Sequence, residues 1–216
     1  MSGVGAGPFR VALTIDAEHA DRPTEPGVTA RLLDVLSDAG ALATFFVQGR
    51  WAEAEPRVAR RIGDEGHLVG NHSHHHARLT LLTSAGIRRD ALAAGRAIRE
   101  ATGADPAPWY RCPFGAGAGS ARVVRALADA GYTDVGWTVD SRDWTGVAAP
   151  RLEDDVVRGA VAAGDGAVVL LHGWPAATPL ALPGIVARLR DAGAELVRVD
   201  ALPVLPGRRV PEGGTP

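Results

Sequence analysis

The chain has 216 residues, enough for one sizeable core and too few for two ordinary domains. Its composition is that of a globular protein, 46% hydrophobic and 22% charged, and a formal net charge of -2 gives no reason to expect a nucleic-acid or membrane partner. A single cysteine, Cys112, excludes an internal disulfide and a metal site made only of cysteines.

The two ends of the chain differ in composition from its middle. The first ten residues lack a charged region followed by an apolar run, and no apolar run approaches the length of a bilayer span. We therefore expect a cytoplasmic protein, or a secreted one if a leader has been removed, in which residues 1–10 form a tail. One domain is expected over residues 11–204, followed by a Pro/Gly-rich tail over residues 205–216.

Short apolar runs alternate with stretches of helical periodicity along almost the whole chain. Seven strands are predicted, at residues 11–16, 43–48, 68–72, 109–113, 134–140, 167–172 and 195–199. Six helices are predicted between them, at residues 28–40, 56–66, 87–103, 121–131, 152–164 and 182–193. This alternation predicts βα units and a parallel sheet with both faces covered.

Five polar residues fall at or just beyond the ends of predicted strands. They are Asp16, His72, Arg111, Asp140 and His172. In a parallel α/β array that edge of the sheet is where ligands bind and chemistry takes place. One such residue would be ordinary loop polarity, but five on five strands predict a single functional rim.

Four of the seven histidines lie within GNHSHHHARL, residues 70–79. His72 and His76 are four residues apart, so on a helical turn both imidazoles would reach one cation, with Ser73 capping the turn. Two histidines and a carboxylate commonly bind zinc. The alternative is a solvated polar loop, and for His74 and His75, which should point away, it is the preferred interpretation. An internal, interrupted run is not a purification tag.

The segment TIDAEH, residues 14–19, supplies the carboxylates for such a rim. Asp16 ends a strand and is a candidate base, and a second carboxylate would complete the metal triad. The alternative role for these residues is capping of a helix or loop.

Three further segments place chemical groups at strand ends. In RCPFG, Arg111 would orient a carboxylate with its planar fork of donors, or form a surface salt bridge. In VDSRDW, Asp140 ends a strand and Trp144 is a candidate pocket wall, the alternative being turn chemistry with one packed aromatic. In LLHGW, His172 follows an apolar strand and is a candidate general acid, or else a structural histidine.

Together these motifs resemble those of the polysaccharide deacetylase (NodB-homology) superfamily, metal-dependent carbohydrate esterases similar to carbohydrate esterase family 4. The family's motifs, a TFDD-like start, H-S/T-x-x-H, R-x-P-F/Y, D-x-x-D-W and L-x-H, read here TIDAE, HSHHH, RCPF, DSRDW and LLH. The resemblance covers roughly residues 11–200. It implies an α/β fold, the family's distorted (β/α)7 barrel in a single domain.

The resemblance implies roles for the proton-transferring residues. Asp16 is expected to be the catalytic base, oriented by Arg111. His172 is expected to be the general acid that protonates the leaving amine, with Asp140 as its carboxylate partner.

It also implies a metal centre and a substrate pocket. His72 and His76 are expected to bind the ion, with zinc as the expected metal and cobalt and nickel as alternatives that suit the same ligands. The backbone N–H of Phe114 would help to hold the oxyanion. Trp144 would line the acetyl pocket.

The first motif departs from the family pattern at Ala17, where a second, metal-binding aspartate is usual. Some branches use an Asp-x-acid pattern instead, which Asp16 and Glu18 fit. We therefore predict Glu18 as the third ligand, with His19 as the alternative.

The implied activity is metal-dependent removal of an N-acetyl group from an amino sugar or polysaccharide, which gives acetate and a free amine. The partner would then be a carbohydrate or a small N-acylated substrate. Two alternatives remain at this point: a hydrolase of another linear or cyclic amide, and a metal-free, inactive carbohydrate-binding relative, for which Ala17 is the argument.

Overall fold

The computed structural model describes residues 9–19 and 25–202. Both predicted tails lie largely outside these ranges. The first strand begins two residues earlier than predicted, at Phe9. None of the described helices has the length and apolar character that a membrane span requires.

The described residues form one parallel sheet of eight strands. The strands are β1 (Phe9–Ala17), β2 (Thr44–Val47), β3 (Leu68–Asn71), β4 (Trp109–Tyr110), β5 (Thr133–Asp134), β6 (Val139–Asp140), β7 (Ala167–His172) and β8 (Ala194–Val197). Their order is β5-β4-β3-β2-β1-β7-β6, with β8 beside the first half of β1. This arrangement confirms the predicted distorted (β/α)7 barrel.

The predicted strand at residues 134–140 is split into two strands at opposite ends of this order. β5 pairs with β4, and β6 pairs with β7. Between them Val135 N donates to Tyr110 O over 2.6 Å and Thr138 N donates to Val168 O over 2.9 Å. Residues 135–138, called the seam below, therefore carry the chain from one end of the curled sheet to the other.

Seven α-helices pack around the barrel in the described part of the chain. They are α1 (Val28–Asp38), α2 (Gly49–Ala54), α3 (Pro56–Asp64), α4 (Ser84–Thr102), α5 (Ala121–Ala128), α6 (Ala149–Ala163) and α7 (Ala177–Asp191). The sequence did not predict α2, since six residues are too few to show a helical period. It also began α7 at Leu182, whereas the helix starts five residues earlier and contains Pro183.

The two faces of β1 have different surroundings, as the period of two in a strand requires. Leu13, Ile15 and Ala17 belong to the large apolar cluster that the outer helices share. Ala12, on the other face, packs with Phe46 in a second apolar cluster. Asp16 has the same parity as Ala12, so the pleat turns it to the face away from the outer helices, at the carboxyl end of the strand.

Candidate active site

The carboxyl ends of the central strands bring the predicted rim together. In the register of β1 and β7, Asp16 is directly opposite His172. In that of β3 and β4, Asn71 is opposite Tyr110, so the motifs that begin at His72 and Arg111 leave the sheet side by side. The expectation that these segments share one edge is therefore confirmed.

A carboxylate and two imidazoles form a tight cluster at this edge. Glu18 Oε2 lies 3.0 Å from His72 Nε2 and 2.5 Å from His76 Nε2. Glu18 also lies beside His19, and these two residues with His76 place three ligand atoms within 4.8 Å of one another. Ala17 is fully buried in the apolar cluster on the opposite face of β1, so position 18 supplies the carboxylate where position 17 cannot.

The polar atoms of the cluster are those that a divalent cation would need. Burial favours a neutral Glu18 carboxyl, yet hydrogen bonds from His19, His72 and His76 outweigh it and hold the pKa of Glu18 well below its usual range. His72 Nδ1 lies 2.9 Å from the Arg111 carbonyl oxygen, and its Nε2 faces Glu18. Burial lowers the pKa of His72 but the charges of Asp16 and Glu18 raise it overall, whereas burial lowers the pKa of His76. One carboxylate and two imidazoles match the ligands of zinc, which would displace the Nε2 protons on binding.

The histidine loop, residues 72–76, reaches this geometry without a helical turn. It is an irregular bend with positive φ at Ser73 (63°) and His76 (54°). The two imidazoles meet as predicted, but the helical turn from which this was predicted is absent from these residues. Ser73 Oγ accepts a hydrogen bond from His76 N over 2.8 Å, as the predicted capping role requires. His74 and His75 contact each other instead of the cluster.

Two residues that the sequence did not single out hold this loop against the barrel. Asp90, buried on α4, accepts hydrogen bonds from the backbone N–H groups of His74 and His75 over 2.9 and 3.2 Å. Gln48, after β2, accepts one from His19 N over 2.9 Å and donates to His74 O over 3.4 Å. Neither lies in a recognisable motif, so no local signal marks them.

Asp16 and Arg111 form a buried ion pair. Arg111 Nη1 donates to Asp16 Oδ1 over 2.8 Å, and both side chains are almost fully enclosed. The guanidinium also donates to Thr14 Oγ1, Val135 O and Gly136 O. The surface salt bridge considered for Arg111 is therefore wrong. Asp16 Oδ2 remains 3.5 Å from His72 Nε2, facing the cluster.

His172 pairs with Asp143, and the predicted partner Asp140 is wrong. His172 Nδ1 lies 2.7 Å from Asp143 Oδ1, while Asp143 Oδ2 accepts from His172 N and Thr178 Oγ1, each over 2.8 Å. Asp140 is exposed and caps its own turn by accepting from Arg142 N. Asp140 lies on β6 itself, whereas Asp143 begins a short 3₁₀ turn that brings its fully buried carboxylate to β7.

The charge of Asp143 determines the protonation of His172. Burial alone would lower the pKa of this imidazole, but the ion pair and hydrogen bond with Asp143 raise it to about 9. His172 is therefore protonated at neutral pH, the state that a proton donor needs.

The remaining predicted residues lie at the rim. Phe114 has left-handed backbone angles (φ 58°, ψ 14°), and its ring centroid is 4.5 Å from that of His76. This places its ring beside the cluster, while the role of its backbone N–H at an oxyanion stays a prediction. Trp144 follows Asp143 directly and is 43% exposed, and its place in an acetyl pocket also stays a prediction. Trp174, which the sequence did not select, donates from Nε1 to Glu18 Oε1 over 3.3 Å.

Known proteins are similar to this chain in sequence and in fold. Residues 4–135 match the family model described as polysaccharide deacetylase. A chitooligosaccharide deacetylase of Sinorhizobium fredii is 36% identical over 168 residues, which cover 78% of this chain and 74% of that protein. The peptidoglycan-N-acetylglucosamine deacetylase PgdA of Listeria monocytogenes is 34% identical over 194 residues. That match covers 89% of this chain but spans only 38% of the length of the Listeria protein.

A solved structure shows the same architecture. A CE4 family pseudoenzyme from Bacillus anthracis superposes with a TM-score of 0.80 at 30% identity, over 90% of this chain and 65% of that one. The family model alone spans more than half of the present sequence. The chain therefore belongs to the polysaccharide deacetylase family.

Proposed function

We propose that this protein is a metal-dependent deacetylase that releases acetate from N-acetylated amino sugars in a carbohydrate. The observation that carries the proposal is a carboxylate and an imidazolium on neighbouring strands, each fixed by its own buried partner, beside a cluster of metal ligands. Asp16 is fixed by Arg111, and His172 by Asp143. A protein that only bound sugars would need neither pair.

The metal site would consist of Glu18, His72 and His76, with zinc as the preferred ion and cobalt or nickel as alternatives. A divalent ion bound there would polarise the amide carbonyl and make a water molecule more acidic. Three protein ligands leave coordination positions open, as catalytic sites require.

The protein's own groups would move the protons. Asp16 Oδ2 faces the cluster and would take a proton from the attacking water, while Arg111 keeps Oδ1 occupied. His172 would give its proton to the departing nitrogen, so that a neutral amine leaves. Asp143 would keep the ring in the orientation that directs Nε2 at the substrate. The backbone N–H of Phe114 would add a donor for the oxyanion, and Trp144 a wall for the acetyl group.

The second candidate function is a catalytically inactive carbohydrate-binding protein. Two observations favour it: Ala17 replaces the usual aspartate, and a relative of similar fold is described as a pseudoenzyme. The intact Asp16–Arg111 and His172–Asp143 pairs argue against it. A hydrolase of another linear or cyclic amide would use the same groups and differ only in its substrate. A cytoplasmic location stays a prediction.

The test is metal content followed by acetate release. Protein purified without a histidine tag should hold about one divalent ion per chain after zinc is added, and should release acetate from N-acetylglucosamine oligomers. Glu18→Ala should lose both properties. Glu53→Ala is the matched control, because Glu53 also lies near the histidine loop but is exposed and outside the cluster. A chain that binds no zinc, or binds zinc without releasing acetate from any N-acetylated sugar, would favour the inactive relative.

A further inference from the structure

The two oxygens of Glu18 have different neighbours. Oε2 faces His72 and His76, the two predicted metal ligands. Oε1 faces away from them and accepts from two donors, His19 Nε2 at 2.8 Å and Trp174 Nε1 at 3.3 Å. One oxygen is thus directed to the ion, and the other is held by the protein.

The position of His19 is fixed by its backbone and its neighbours. Its φ of 64° is in the left-handed region, which a residue with a side chain adopts only where its surroundings hold it there. Its N–H donates to Gln48 Oε1, and Gln48 N donates in turn to Ala17 O over 2.9 Å. Its ring is 4.8 Å from that of His76 and 5.8 Å from that of Trp174.

A glutamate needs such restraint more than an aspartate does. Its carboxylate has one more rotatable bond, and an unrestrained carboxylate binds a cation through one oxygen or through both. Two donors on Oε1 leave only Oε2 for the ion. Coordination through one oxygen keeps further positions open for water and substrate.

We propose that His19 and Trp174 are positioning residues that hold Glu18 as a one-oxygen metal ligand. The inference rests on the proposed metal site and concerns how this chain replaces the missing second aspartate. His19 donates its Nε2–H to Oε1 and does not itself bind the ion. Trp174 donates to the same oxygen from the loop after β7, which links the Glu18 carboxylate to the strand that carries His172.

The competing arrangement is His19 as a fourth ligand, since its nitrogen lies within 4.8 Å of ligand atoms of Glu18 and His76. A glutamine at position 19 separates the two, because its side-chain amide donates a hydrogen bond from a similar position but is a poor ligand for zinc or cobalt.

The experiment measures zinc affinity by competition with a chelating dye, and the visible spectrum of the cobalt-loaded protein, for wild type, His19→Ala, His19→Gln and Trp174→Phe. We expect His19→Ala to weaken zinc binding about 10- to 100-fold, as loss of a group that orients a ligand does. Trp174→Phe should weaken it less. His19→Gln should recover most of the affinity, with the cobalt spectrum of wild type.

Each other result overturns the inference in a distinguishable way. A wild-type affinity in His19→Ala would show that Oε1 needs no restraint. A His19→Gln variant as weak as His19→Ala, with an altered cobalt spectrum, would make His19 a fourth ligand. Either result leaves the proposed function intact. A wild-type chain that binds neither metal would refute the function and this inference together.

Discussion

The pair of His172 and Asp143 gives the sharpest prediction, because it replaces a pairing that the sequence motif suggested. The change is Asp143→Asn, which keeps the shape of the side chain and removes its charge. A pKa of about 9 in place of 6.5 corresponds to about 3 kcal/mol in favour of the imidazolium. Without the charge, burial dominates, and we expect the pKa of His172 to fall below 6.5.

The consequence for the proton donor is large. At pH 7 the imidazolium should drop from about 99% of molecules to less than about a quarter. Since the folded-state pKa of His172 is raised, the stability from this pair is fully present below pH 6.5 and is lost as the pH rises through about 9. Asp143→Asn should therefore destabilise the protein more at pH 6 than at pH 10.

The assay is an NMR titration of ring-labelled histidines in chelator-treated protein, with the His172 signal assigned from its absence in His172→Gln. Asp140→Asn is the matched control, since Asp140 is exposed and makes no described contact with His172. A His172 pKa that stays near 9 in Asp143→Asn, or that falls in Asp140→Asn instead, would refute the assignment.

Three further predictions concern the other buried groups. Asp16→Asn should abolish acetate release while zinc binding persists, whereas His76→Ala should lose both; turnover by Asp16→Asn, measured alongside zinc content, would remove Asp16 as the base. Arg111→Ala should lower the free energy of unfolding by about 3–5 kcal/mol, because it leaves the Asp16 carboxylate buried without its partner. Urea denaturation measures this loss, and Arg60→Ala, which changes an exposed arginine, is the control. Equal losses in the two variants would contradict the prediction. Asp90→Ala should lower the free energy of unfolding by about 1–3 kcal/mol and weaken zinc binding, because it leaves the N–H groups of His74 and His75 unpaired. Zinc affinity is measured beside that of Asp129→Ala, which changes an exposed aspartate. If the two variants bind zinc equally well, Asp90 does not hold the loop.

The alternation of apolar runs with helical periods was sufficient to predict a parallel sheet with both faces covered, because it is a short-range pattern. The barrel and the candidate ligand Glu18 were predicted from the resemblance to the family's motifs. The parity of β1 explains that ligand in the structure, since Asp16 and Glu18 lie on the face opposite Ala17.

Contacts between distant segments were beyond such patterns. Asp140 and Asp143 are three residues apart, and only the 3₁₀ turn at Asp143–Thr145 decides which carboxylate reaches β7. Trp174 makes one hydrogen bond, and Asp90 accepts two, across to segments that are distant in the sequence. The split of the strand at residues 134–140 depends on how strongly the whole sheet curls, which no window of a few residues contains.

The hydrogen bonds of the seam limit which residues an inactive relative of this protein can lose. The Val135 and Gly136 carbonyls of the seam, at the switch between β5 and β6, accept hydrogen bonds from Arg111, the residue that also orients Asp16. Loss of this arginine would therefore remove the hydrogen bonds that hold the seam as well as the group that orients Asp16. Glu18 is under no such double requirement, since all of its described polar contacts are with other residues of the site. Inactive descendants should therefore retain the arginine long after their metal ligands have diverged.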